Sequence, residues 1–191
     1  MTNIKTPSSW AVWVLLATFQ VAAAQTMSNS AVNSQAGLSQ RGIDRITQEV
    51  HHQLVLLPYY GVFDNLGYRV SPEGSVTLLG QVTTPTLKSD ANNVVKKIEG
   101  VQRVDNEIQV LPLSPMDDQI RRATFHAIYG NASLADYGLR AVPPIHIIVD
   151  NGHVTLVGVV ARQMDKQIAE MQAKSVPNVF SVTNNLQVEG S

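Results

Sequence analysis

The nine residues Gly74-Ser75-Val76-Thr77-Leu78-Leu79-Gly80-Gln81-Val82 return as Gly152-His153-Val154-Thr155-Leu156-Val157-Gly158-Val159-Val160, six of the nine positions being identical. The same offset of 78 residues carries, without a gap, Ala91 onto Ala169, Val101 onto Val179, Val104 onto Val182, Asn106 onto Asn184 and Val110 onto Val188. A fixed internal period dictates architecture before any local propensity does. The chain is therefore a tandem duplication, and whatever fold one unit adopts the other must share.

Within the first unit, Ile43, Ile46, Val50 and Leu54 fall at helical spacing and predict one amphipathic helix, stopped by Pro58. The aromatic, turn-rich segment Tyr59 to Leu66 is expected to plug the end of a core. Tyr68 to Ser71 and Val76 to Val82 flank the turn Pro72-Glu73-Gly74 and predict a hairpin. Gly80, inside a strand, signals a bulge or a close backbone approach. Thr84-Pro85 supplies an N-cap and a first-turn proline for a helix that buries Leu87, Ala91, Val94, Val95 and Ile98, with Gly100 as its stop. Val101 to Val110 returns as a strand. The expected unit is helix, strand, strand, helix, strand: an α+β fold with a three-stranded mixed sheet and two helices on one face.

The second unit repeats this plan after a short linker, residues 112–116. Ser114-Pro115-Met116-Asp117 opens its first helix, whose buried stripe is Ile120, Ala123, Thr124, Ala127 and Ile128, and Asp117-Asp118 suits the helix dipole. Tyr129 to Pro144 is longer than its counterpart and its structure is not legible. Ile145 to Val149 and Val154 to Val160 pair across Asp150-Asn151-Gly152, Asn-Gly being the strongest short hairpin signal. The units so drawn span residues 42–111 and 117–189.

Ahead of them, a weakly positive start, the apolar run Trp10 to Phe19 and Ala22-Ala23-Ala24 read as a secretory signal peptide over residues 1–24, cut before Gln25. The run is shorter than the ~20 apolar residues that span a bilayer. Residues 25–41 read as a flexible leader. No cysteine occurs in the chain, which excludes disulfides, thiolate chemistry and a lipid-modified cysteine after the apolar run. An exported, periplasmic protein is expected.

The glycine-flanked Val-Thr-Leu-x-Gly strand (Val76 to Gly80 and Val154 to Gly158), Ala91 or Ala169 in the following helix, and Gly100-Val101-x-x-Val104-x-Asn106-x-Ile108-x-Val110 resemble the BON family, whose name joins osmotically inducible periplasmic proteins with nodulation proteins. In the second unit Pro177-Asn178 stands where the motif has its glycine. The resemblance implies a non-enzymatic envelope module that attaches to membrane phospholipids, or serves as an adaptor of transport or secretion machinery.

The residues themselves offer little chemistry. The five histidines, His51, His52, His126, His146 and His153, show no metal-ligand spacing, and no nucleophile elbow is present. No cofactor, metal or small-molecule substrate is expected. A net charge of −1 and a pI near 6.5 argue against nucleic acid as a partner. Lys96, Lys97 and Arg103, or Arg121 and Arg122, read as solvated charges before they read as patches. One asymmetry between the units points to a contact surface. Met164, Ile168 and Met171 form a second apolar stripe on the last helix, where the first unit has Thr86, Asp90 and Asn93. With Arg162, Lys166 and Lys174 nearby, this stripe either meets an anionic membrane or an envelope protein, or packs into the molecule's own core. Gly74, Gly80, Gly100, Gly152 and Gly158 are assigned structural roles.

Overall fold

The computed structural model describes residues 38–140 and 142–190. The expectations for the signal peptide and for the leader as far as residue 37 lie outside the described residues. The first unit runs α1 (Gln40–Val55), β1 (Asn65–Val70), β2 (Ser75–Val82), α2 (Pro85–Val95), β3 (Arg103–Asn106) and β4 (Gln109–Val110). The second runs α3 (Pro115–Tyr129), a 3-10 turn (Ala135–Leu139), β5 (Ile145–Asp150), β6 (His153–Val160), α4 (Gln163–Lys174) and β7 (Ser181–Val188). In each sheet a hairpin pairs antiparallel and the last strand returns parallel to the central one, in orders β1-β2-β3 with β4 continuing beside β2, and β5-β6-β7. This is the expected α+β fold, twice.

The helices start where the sequence places caps. Thr84 Oγ1 accepts from the Leu87 amide and Ser114 Oγ from that of Asp117. Ser39 Oγ likewise accepts from Gly42, so Gln40 and Arg41, expected in the leader, are the first turn of α1. Its stripe sinks Ile46, Val50 and Leu54 into the first core beside Leu87, Ala91 and Val95 of α2. Gly100 does not end α2 directly. The helix stops at Val95, and tightened turns over Lys96 to Glu99 precede Gly100 at φ +93°. Asn178 takes the same left-handed conformation at φ +67° in the second unit, which asparagine adopts more readily than most non-glycine residues.

The single strand expected over Val101 to Val110 is interrupted. Asn106 turns its side chain back, Oδ1 accepting from the Ile108 amide and Nδ2 donating to the Lys88 carbonyl of α2. Asn184 makes the same two bonds, from Leu186 and to Lys166 of α4. The duplicated asparagine thus pins helix to strand in both units.

The aromatic segment joins the units rather than sealing one of them. Tyr60 packs on the first core, whereas Val62 and Phe63 pack on the second. The Ile147 amide of β5 donates to the Val62 carbonyl (2.8 Å), the Tyr60 ring stacks on His146 at 5.5 Å, and Phe63 meets Phe125 edge-on at 6.2 Å. Tyr129 completes the protection of this edge, its hydroxyl donating to the Ile145 carbonyl and accepting from the Ile145 amide. An otherwise exposed strand edge is covered by the neighbouring unit.

Candidate functional site

The last helix is held by polar clusters at both ends. At its start stands Asp165, buried where the first unit has Leu87. Its carboxylate accepts from Arg162 Nε (3.1 Å) and Nη2 (2.9 Å) and from the Tyr137 hydroxyl (2.8 Å), which in turn accepts from the Ala161 amide. The Arg162 bonds hold the Asp165 carboxyl below its ordinary range against the opposing effect of burial, and burial raises the Tyr137 hydroxyl. The cluster ties the 3-10 turn to the start of α4, bringing Leu139 and Arg140 to that end; the Arg140 guanidinium lies 5.8 Å from the Tyr137 ring centre. Near the other end Lys174 Nζ donates to Glu170, which also accepts from Asn184 and is held low chiefly by Lys174.

The three-residue stripe expected on α4 does not form one face. Met164 and Met171 are each 59% exposed, while Ile168 is half-buried against the second core. At ~100° per residue the two methionines nearly coincide, and Ile168 is rotated roughly 40–60° from them toward the buried side. Of the expected cations, Arg162 and Lys174 are exposed but paired in place, and Lys166 is half-buried with its carbonyl tied to Asn184. The surface is thus two protruding methionines on a helix that also carries Lys174, with Arg162 at its start and Arg140 beside Tyr137 there. Leu139 and Arg140 came from the segment whose structure was not legible. The substitution of Asp165 for Leu87 within the repeat was the signal that a polar partner must lie there.

Two further expectations are corrected. Asp117 is not simply a dipole partner: its buried carboxylate accepts from the Asn151 and Gly152 amides, clamping the β5–β6 turn onto α3. Arg121 is neither a solvated charge nor part of a surface patch: it is buried, with Nη2 donating to the Val149 carbonyl and Nη1 to Asp118. The glycine assignments acquire geometry. Gly74 lies close to the Gly100 carbonyl, Gly152 faces Phe180, and Gly80 and Gly158 face the carbonyls of Asn65 and Pro144. Among the described residues no three metal-ligating side chains gather, and no helix is long and apolar enough to cross a membrane.

Residues 43–112 and 131–190 each match the BON domain. The chain belongs to the BON family. It is 30% identical over 105 residues to the outer membrane lipoprotein DolP of Haemophilus influenzae, a match that spans 55% of this chain and 54% of that protein. The chain thus spans about half the length of this curated relative. A solved C-terminal domain of CdsD, a structural protein of the type III secretion system of Chlamydia trachomatis, aligns over 79% of this chain and 99% of its own at 15% identity and a TM-score of 0.28. A second structure of CdsD aligns over 76% and 94% at 13% identity and the same TM-score.

Proposed function

We propose that this BON protein is an exported, non-enzymatic component of the envelope that associates with phospholipid surfaces through the outer side of α4, supporting envelope integrity under osmotic or other stress. The observation that carries this reading is the pair Met164 and Met171, exposed on a helix whose copy places Thr86 and Asn93 there. Folding gains nothing from large apolar tips in water, and apolar tips among cations suit the boundary between acyl chains and headgroups. The likeness to an outer membrane lipoprotein supports an envelope location. Periplasmic residence after removal of residues 1–24 belongs to the same proposal.

The test is co-flotation of the exported protein with vesicles. Phosphatidylglycerol-containing vesicles should carry it, and the double variant Met164→Asp, Met171→Asp should bind at least about 10-fold more weakly, a loss of about 1.4 kcal/mol, with an unchanged melt. Equal flotation of variant and wild type would remove α4 from the reading. Absence of binding to any vesicle would overturn it.

A further inference from the structure

The second sheet is almost free of charge. Of the residues in β5, β6 and β7, Asp150 alone carries a formal charge, histidines being neutral. On its outer face, where it meets the first unit, lies a cleft of about 400 Å³, within the size range of ligand sites. Gln81 and Gln109 of the first sheet form one wall, and Asp150, His153 and Thr155 of the second form the other. Leu111 and Ile148 supply an apolar floor.

Much of the hydrogen-bonding capacity of these walls is unused among the described residues. Gln109 and Thr155 have no side-chain partner, and Gln81 engages only Oε1, with Asn65 at 3.4 Å. His153 uses only Nδ1, toward Ser181, and Asp150 only Oδ1, toward Asn151. Primary amides, a hydroxyl, an imidazole and one carboxylate therefore face one another without a cation. Phe180, 77% exposed, has its ring 6.0 Å from that of His153, outside the core.

We infer that this cleft between the units binds a neutral glycan carrying N-acetyl groups. Planar amide and carboxylate groups match paired sugar hydroxyls because each offers donor or acceptor atoms at fixed spacing. The absence of Lys and Arg from the walls disfavours phosphate and other anions. An acetamido group complements what remains: its methyl suits the floor of Leu111 and Ile148, and its N–H and C=O suit the two glutamine amides. Phe180 presents an aromatic surface to a neighbouring sugar ring. The site is independent of α4, so it stands or falls apart from the membrane reading.

The experiment is an NMR titration of the intact, isotope-labelled protein with chitotetraose, with cellotetraose as the sugar lacking acetamido groups. Chitotetraose at low millimolar concentration should shift the side-chain amides of Gln81 and Gln109 and the backbone of His153 and Thr155. Gln109→Ala with Thr155→Val should weaken it at least about 10-fold without changing the melt. Failure of chitotetraose to shift these resonances overturns the inference, as do shifts that the double variant leaves intact. Equal binding of cellotetraose overturns the acetamido assignment, and shifts given only by a neutral peptide would make the cleft a peptide site instead.

Discussion

Replacing Gly80 by alanine tests the geometry that the duplication preserves. A Cβ at Gly80, whose φ is +111°, falls far inside van der Waals contact with the Asn65 carbonyl oxygen, an atom fixed in the backbone of β1. The strained φ costs about 1–3 kcal/mol and the forced separation of β1 from β2 a further ~1–3 kcal/mol. The expected loss is therefore about 2–6 kcal/mol, a large part of the stability of a small protein. Gly67 is the control one strand away: its φ is ordinary and its new Cβ meets nothing closer than Leu79 at 3.8 Å. Urea unfolding followed by circular dichroism should show Gly80→Ala strongly destabilised and Gly67→Ala within about 1 kcal/mol of wild type. Gly158→Ala should repeat the effect in the second unit, against the Pro144 carbonyl. A Gly80→Ala protein that unfolds with the wild type would refute the close approach as the reason for the glycine.

Three other outcomes follow from the polar contacts. Asp117→Ala strands the amides of Asn151 and Gly152 and should cost about 2–4 kcal/mol, measurable in the same unfolding assay and detectable as faster hydrogen exchange at the turn. His146, depressed chiefly by burial, is neutral in both folded and unfolded chains above its ordinary value of about 6.5. As pH falls below that, the unfolded chain takes up the proton first, so stability drops until the folded-state pKa is reached; His146→Gln should flatten the melting temperature across this window. Asp165, depressed chiefly by Arg162, acts lower: its stabilisation is present above about pH 4 and lost as pH falls through the folded value, and Tyr137→Phe should lessen that loss.

How much was legible depended on whether the signal was local. The caps Thr84 and Ser114, the buried positions Ile46, Val50, Leu54, Leu87, Ala91, Val95, Ile120, Thr124 and Ile128, and the Asn151-Gly152 turn, with φ of +50° and +78°, declare themselves within a few residues; Ala123 and Ala127, expected in the α3 stripe, are only half-buried, and Arg121 and Tyr129 are buried on that helix instead. The duplication exposed Asn106 and Asn184 as equivalent but not why, because their partners Lys88 and Lys166 lie 18 residues away. Contacts between the units left no periodicity to read, so the crossing of Val62 and Phe63 onto the second core was invisible. On α4, helical spacing alone grouped Ile168 with the methionines. The helix is set on its core by the Asp165 cluster and the Asn184 bond, and no angular count within one helix contains that information.

The central claim, that Met164 and Met171 enter a lipid surface, has a direct optical test. The only tryptophans are Trp10 and Trp13, so a chain beginning at Gln25 has none, and Met171→Trp places a single reporter on α4. On phosphatidylglycerol-containing vesicles the emission of this variant should shift to the blue and be quenched by lipids brominated along the acyl chain, with Thr86→Trp on α2 unaffected. A vesicle-bound Met171→Trp protein whose emission and quenching do not change would contradict the claim.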